Sequence, residues 1–325
     1  MSAPRLEWIG NWAADNPELS VIVVSWNCSR LLSECLRSVQ EHTGPVRIEV
    51  IVVDNASADD TLLMLGQDFP QARVIANPEN MGFAKASNQG MAVAKAPLFC
   101  LLNPDTLLVH PNTLAAIKGR LDTHPEIGAA GCRLVFPGGG HQVGDAGYLP
   151  TLGAVLAHAF LLSRLAPGLI HGLFLQEGGV SPPYGTVGWV CGACTVLRSE
   201  VLEQVGGLDE SYFLYGEDLE WGCRMNAAGV RVAYLPDISI VHHQGGTQKG
   251  KGLPSTRWID GVARLYFDYN NGRHWRLFRV ALAVGFLLRA VLYAGTARST
   301  EMLAYSRHAS NLRPPHVPVQ ASRYP

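Results

Sequence analysis

Three short stretches of this 325-residue chain carry side chains able to do chemistry together. The densest is Tyr212-Phe213-Leu214-Tyr215-Gly216-Glu217-Asp218-Leu219-Glu220-Trp221, in which two adjacent acids follow a crowd of aromatic rings. Acids at a helix N-terminus are favoured by the helix dipole, and that alone could explain the pair. The rings add something the dipole does not require. Apolar neighbours raise a carboxyl pKa, as a general base working near neutral pH needs. Glu220 and Arg224 are spaced for an ordinary i,i+4 ion pair. The second set closes apolar runs: Asp54-Asn55 follows IVV, and Asn103-Pro104-Asp105 follows LFCLL. Asp54 could accept a hydrogen bond from a base ring N–H or cap a turn. Asp105 could hold a hard divalent cation or simply open the next helix. The third is His242-His243-Gln244-Gly245-Gly246-Thr247 after ISIV, where one His could be a metal ligand or a polar loop residue.

The elements around these stretches alternate. Leu19–Trp26 and Ile48–Val53 are short, β-branched and nearly unbroken, as parallel strands buried on both faces should be. Between them Ser29–His42 reads as a helix with Leu32, Leu36 and Val39 on one face. Next come a helix over Asp59–Gln67 with Asp59 as cap, a strand Arg73–Ala76, a helix Gly82–Ala94 and a strand Leu98–Leu102. This is the pattern of a doubly wound sheet, whose ligands bind beyond the C-terminal strand ends. Those ends are Ser25-Trp26-Asn27, Asp54-Asn55 and Asn103-Pro104-Asp105. The stretch 138–183 is less regular. Its apolar segment Leu152–Leu175 is broken by His158, Arg164, Pro167 and Gly168, which argues against a membrane span. Val187–Leu197 is strand-like, Ser199–Val205 a helix ended by Gly206-Gly207, Glu217–Ala228 a helix stopped by Gly229, and Val230–Leu235 a strand.

Together the motifs resemble the family 2 glycosyltransferases, and most nearly their rhamnosyltransferase-like branch. The matching stretches are VIVVSWN (21–27), IVVDNASADDT (51–61), NPENMGFAKASNQG (77–90), LLNPDTLL (101–108), the run 188–236 and VHHQGGT (241–247). The resemblance implies a GT-A fold, α/β with a mostly parallel sheet and helices on both faces. It also implies an inverting single displacement on a nucleotide-diphosphate sugar. By motif, Ser25, Trp26, Asn27, Asp54 and Asn55 would line the nucleoside pocket, and Asn80, Gly82, Lys85, Asn88 and Asn103 the sugar-diphosphate side. Asn103-Pro104-Asp105 stands where the family has its DxD-type motif, with Asn at the first position, so Asp105 would be the carboxylate ligand of Mg²⁺ or Mn²⁺. His242 would complete the metal shell, with His243 as the alternative. Asp218 would be the catalytic base with Glu217 beside it, and Trp221 and Tyr215 would face the acceptor. A rhamnose-like donor sugar and a saccharide or lipid-linked acceptor in surface-polysaccharide synthesis follow from the resemblance alone.

Composition bounds the setting. A net charge of −1 gives no reason to expect nucleic acid. Charge is unevenly placed, however: from Arg273 onward there are eight Arg and no Lys against one acid, Glu301, leaving 18 basic against 26 acidic side chains before it. Within Leu277–Gly295 the residues Leu277, Val280, Val284, Leu287 and Val291 fall at helical spacing, widened by Leu288 and Leu292, with Arg276, Arg279, Arg289 and Arg298 expected on the other side. This predicts a helix lying on an anionic membrane surface, the alternative being that the same face docks on the protein's own core. Three units follow: an N-terminal extension 1–18, a transferase domain 19–272 with a nucleotide-binding half 19–110 and an acceptor half 111–272, and a cationic tail 273–325. The N-terminus lacks a secretory pattern and the seven cysteines are odd in number, so a cytoplasmic protein with reduced thiols, peripheral at the inner face of the cell membrane, is expected.

Other chemistries fit less well. Gly245-x4-Gly250-Lys251 nearly spells a phosphate-binding loop, but Gly252 replaces the Ser or Thr and Pro254 follows. Cys191-Gly-Ala-Cys194 has no second metal-binding pair, and no G-x-G-x-x-G follows the first strand. Two further classes stay open: a nucleotidyltransferase, which would need a basic Gly-rich loop where WNCSRLL stands, and a non-catalytic saccharide-binding protein.

Overall fold

The computed structural model describes residues 16–243 and 256–315. In chain order the first half holds β1 (Leu19–Ser25), α1 (Ser29–His42), β2 (Ile48–Asp54), α2 (Thr61–Asp68), β3 (Arg73–Ala76), α3 (Phe83–Val93), β4 (Leu98–Leu102), β5 (Thr106–Leu107), α4 (Thr113–Thr123) and β6 (Ile127–Val135). Then follow β7 (Ala146–Gly147), α5 (Leu152–Ala159), α6 (Leu162–Leu165), β8 (Gly185–Val187), β9 (Trp189–Val190), β10 (Cys194–Arg198), α7 (Ser199–Val205), α8 (Glu217–Ala227) and β11 (Arg231–His242). The chain closes with α9 (Arg257–Tyr269), α10 (Trp275–Leu292) and α11 (Ala297–Asn311).

The main sheet runs β3-β2-β1-β4-β10-β6-β11-β5, with β8 also on β11. Strands β3, β2, β1 and β4 are mutually parallel, and β10 is inserted antiparallel between β4 and β6. Alternate side chains of β1 serve two cores. Val21 and Val23 pack with Leu32, Leu36, Leu114 and Ile117 on the α1–α4 side. Ile22 packs with Ala84, Met91, Trp221 and Met225 on the α3–α8 side. Burial on both faces is why these strands lack a polar alternation. A third core joins α5, α9, α10 and α11 to Leu219 and Cys223 of α8.

Several sequence expectations are corrected here. The apolar run Val187–Leu197 is not one strand. It breaks into β8, β9 and β10, and Cys191–Ala193 forms the bend before β10. β11 runs on from the expected Leu235 to His242 across an irregularity between Leu235 and Ser239, which carries its end to the ligand edge of the sheet. α2 starts at Thr61, and Asp59 lies outside it, accepting hydrogen bonds from the backbone N–H groups of Ser29 and Thr61. The segment Leu152–Leu175 contains α5 and α6. Among the described residues no helix is long and apolar enough to cross a membrane. Arg289 is not on the solvated side of α10: it is buried and donates to the carbonyls of His158, Ala159 and Gly285. The glycine-rich stretch 245–252, most of the N-terminal extension and the end of the tail lie outside the described residues.

Candidate active site

The strand ends bring the candidate donor residues to one edge. Asp54 is buried at the end of β2; one carboxylate oxygen accepts from Ser57 N–H, and the other is buried without a partner among the described residues. An orphaned buried acceptor costs free energy unless a donor reaches it, which a base ring N–H would do. Ser25 is buried against the Cys28 thiol. Trp26 stands 46 % exposed beside them. Asn27 caps the neighbouring turn, its side-chain oxygen accepting from Ala58 N–H.

Asn55 has a different place from that of a ligand contact. Its amide donates to Asn80 Oδ1 at 2.9 Å and to the Gly82 carbonyl at 3.2 Å, and accepts from Asn77 Nδ2 and Met81 N–H, both at 3.1 Å. Those four bonds use the whole capacity of the amide, so it shapes the 77–82 loop. Asn88 is likewise committed. It clamps both backbone groups of Leu208 and touches Glu210, tying α3 to the loop ahead of the acids. Lys85 lies half-buried in the first turn of α3.

At that helix start the candidate donor side meets the acidic cluster. Gly82 has φ of 83°, and a Cβ there would sit 2.8 Å from the Phe213 carbonyl, which also accepts from Phe83 N–H. Only glycine suits both the left-handed backbone and the close approach. The Phe83 ring in turn lies against Gly192, where a Cβ would come within 3.1 Å of it. Gly192 N–H donates to Asp218 Oδ2 at 3.2 Å, and Leu219 N–H donates to Asp218 Oδ1 at 2.9 Å.

Glu217 and Asp218 open α8 but differ in surroundings. Glu217 is 5 % exposed, with one carboxylate oxygen buried and unpartnered among the described residues. Burial and the neighbouring Asp218 charge push its carboxyl well above the usual range. Burial also raises Asp218, but the two backbone N–H groups oppose that rise, and its side chain is only partly covered. Hydrogen bonds to the charged form favour it. The shared proton therefore belongs on Glu217 and the negative charge on Asp218, which suits a base open to an acceptor.

That assignment has a stability consequence. A carboxyl whose folded pKa is raised contributes fully below its unfolded value, near 4.5 for Glu217, and that contribution falls away as pH rises toward the folded value. Glu217→Gln should accordingly melt at a higher temperature than the parent at pH 8, by about 1 kcal/mol or more of stability. The gap should close toward pH 5. A difference between the two proteins that is independent of pH would show Glu217 to be ionised throughout.

Trp221 does not face the acceptor. It is 2 % exposed in the α3–α8 core, and its indole N–H donates to the Gly206 carbonyl. Its ring packs with Met225 and with Ile22, Ala84 and Met91 between α8 and the sheet. Glu220 and Arg224 are more than an ordinary surface pair: Glu220 is buried, and Arg224 adds bonds to the carbonyls of Val205 and Gly207, pinning α8 to the α7 end. Tyr215, at φ of 70°, lines a cleft of about 390 Å³ between 211–215 and the start of α9, with Arg257, Asp260 and Arg264 on the far wall.

Pairing of β5 with the end of β11 sets Thr106 opposite His242 and so brings Asp105 to it. His242 Nε2 lies 3.3 Å from Asp105 Oδ1, and its Nδ1 is 2.9 Å from Gln142 Oε1. His243 uses its backbone N–H on the Asp105 carbonyl. Gln142 donates its amide N–H to the His242 carbonyl, which leaves its oxygen for Nδ1 and holds the ring with Nε2 toward the Asp105 carboxylate, where the two could share a cation. Among the described residues no group of three or more His, Cys, Asp or Glu side chains could enclose a metal. A two-residue set suits a cation that takes its other ligands from substrate phosphates and water. Asn103 borders this set, its backbone accepting from Thr106. Gln142 lies outside every matching stretch, and Gly192 lies inside one with no role expected of it; only the fold brings them to His242 and Asp218.

This mixed, mostly parallel α/β sheet with helices on both faces has the GT-A fold. Residues 20–206 match the family description "Glycosyl transferase family 2", and the chain belongs to that family. A solved mannosyltransferase from Pyrobaculum calidifontis, in complex with GDP-Man and Mn²⁺, superposes with a TM-score of 0.52 over 91 % of this chain and 87 % of its own, at 21 % identity. GalNAc-T7 with UDP, GalNAc and Mn²⁺ superposes with a TM-score of 0.57 over 91 % of this chain and 55 % of its own, at 13 % identity. In sequence the chain is 29 % identical over 76 % of its length to the O-antigen biosynthesis protein RfbC of Myxococcus xanthus, of which it spans only 19 %. It spans 28 % of a second relative, the uncharacterized protein y4gI of Sinorhizobium fredii. It is 28 % identical over 70 % of its length to the N-acetylglucosaminyl-diphospho-decaprenol L-rhamnosyltransferase of Mycobacterium tuberculosis, covering 76 % of that protein.

Proposed function

We propose that this chain moves rhamnose or a similar hexose from a nucleotide-diphosphate donor to a saccharide or lipid-linked acceptor, with inversion, in the building of a surface polysaccharide. The observation that carries this reading is the partly covered Asp218 carboxylate, held by the Gly192 N–H, which itself lies on the Phe83 ring at the donor edge. In the reaction, Asp218 takes the proton of the acceptor hydroxyl as that oxygen forms its bond to the anomeric carbon. The bond to the nucleotide diphosphate breaks on the opposite face, and the electron pair leaves with the diphosphate. Asp54, Ser25, Trp26 and Asn27 hold the nucleoside. Asn80, Gly82 and Lys85 at the start of α3, with Asn103, face the sugar diphosphate, where backbone N–H groups and the dipole favour anions. Asp105 and His242 would hold Mg²⁺ or Mn²⁺, which when bound supplies positive charge to the leaving diphosphate. Tyr215 and the cleft before α9 receive the acceptor, and the setting is the inner face of the cell membrane.

A thermal-shift series of nucleotide diphosphates and sugar nucleotides with Mn²⁺, followed by assay of donor hydrolysis, tests this. At least one sugar nucleotide should raise the melting temperature and be slowly hydrolysed. If none does either, the transferase reading fails, and binding of free oligosaccharide without hydrolysis would favour a saccharide-binding protein.

A further inference from the structure

The apolar stripe that the sequence places on α10 is neither buried nor scattered. Val280, Val284, Leu287, Val291 and Leu292 are 43–66 % exposed. On the opposite side Phe278, Ala281, Leu282 and Phe286 are buried in the core shared with α8 and α9. A helix apolar on both faces belongs inside a protein or against lipid. Among the described residues, only one of these faces has protein on it.

A second apolar element stands beside it. In the α5–α6 turn and the loop after it, Phe160, Leu162, Leu165 and Leu169 are 41, 42, 80 and 87 % exposed. Three contacts join this turn to α10. Arg289 donates to the carbonyls of His158 and Ala159. Gly285 backs so closely on Ala159 that a Cβ would lie 2.6 Å from its carbonyl oxygen. Arg164 stands beside Tyr293 just past the end of α10 and draws its phenol below the usual range. The rim is cationic: exposed Arg298 also lies over the Tyr293 ring at 5.9 Å, and α10 contains no acid. An amphipathic ring flanked by Arg, next to exposed Leu and Val, suits the boundary between lipid headgroups and acyl chains.

We infer that the outer face of α10 and the α5–α6 turn form one footing, entering the surface of an anionic bilayer with Arg164, Tyr293 and Arg298 at its edge. The inference deepens the proposed membrane setting. It does not depend on sugar transfer, so either can fail alone. Because the inner face of α10 shares a core with Leu219 and Cys223 of α8, the footing is packed into the body that carries Asp218.

Vesicle flotation of the full chain tests this, with phosphatidylcholine alone and with added phosphatidylglycerol. The parent should float with the anionic vesicles and be partly released by salt. Leu165→Asp/Leu169→Asp and Val284→Asp/Leu287→Asp should each lower partition on the order of tenfold or more. Both should keep nucleotide-diphosphate binding. Arg164→Glu/Arg298→Glu, changed at exposed side chains, keeps the test open should an Asp variant fail to fold, and it too should lose anionic binding. Parental flotation by the Leu165/Leu169 variant would overturn the two-element footing. A parent that binds no vesicle, and forms a dimer that Leu287→Asp dissolves, would assign the face to a second copy of the chain.

Discussion

Asp218→Asn should lower turnover by ~10²–10⁴-fold with a saturating acceptor, the range expected on losing a general base. The amide keeps the size of the carboxylate, and its oxygen can still accept from Gly192 or Leu219 N–H. It cannot take the acceptor proton at neutral pH. Affinity for the nucleotide diphosphate should barely change, because Asp218 touches the donor edge only through Gly192 and Phe83. Glu217→Gln is the internal comparison. Its side chain is buried and carries the proton in the arrangement derived above, so its loss of turnover should be smaller and its effect on stability larger. If both acids served only the helix dipole, both substitutions would cost stability and neither would act selectively on turnover. Near-parental turnover in Asp218→Asn would end the mechanism proposed here.

Asp105→Ala should remove the Mn²⁺-dependent part of nucleotide-diphosphate affinity, by ~10–100-fold at least, a loss that even outer partners of metal ligands can produce. The fold should survive, because the Asp105 carbonyl still accepts from His243 N–H and β5 still pairs with β11. Calorimetric titration with and without Mn²⁺ reads the effect directly. His242→Ala should weaken binding in the same direction but less, and Gln142→Ala less again, since Gln142 orients the ring without reaching the cation. Equal affinity of Asp105→Ala and the parent would take Asp105 out of the metal site. A loss confined to His243→Ala would move the imidazole ligand one residue along.

What could be read in the linear chain is whatever depends on local pattern. The unbroken β-branched runs of β1, β2 and β4 announce strands buried on both faces, and α1, β3, β4 and α7 fall within the bounds their sequences suggest. Motif order likewise reveals the family, and the strand-end rule finds Asp54 and Asp105, because in a doubly wound sheet the position of a residue along its strand already decides whether it faces the crevice. The middle and the tail were less legible. α9 is amphipathic and α11 has almost no apolar stripe, and the burial of both depends on partners far along the chain; Cys191–Ala193 leaves an apolar run at a bend whose Gly192 N–H serves Asp218.

Side-chain roles that need two distant partners were decided by the tertiary structure alone. Asn55 and Asn88 sit in motif stretches, yet their amides are consumed by loops 25 and 120 residues away. Trp221 lies three residues from Asp218, within one turn of the same helix side, yet the packing of α8 on α3 and the sheet buries its ring in the core. The α10 stripe shows the same division most plainly. Its apolar residues and their spacing are properties of the sequence, but a helix apolar on two faces does not state which face the protein will cover. Arg289, expected among the solvated arginines, settles it. Its guanidinium reaches the carbonyls of His158 and Ala159, and that contact turns Val284 and Leu287 outward.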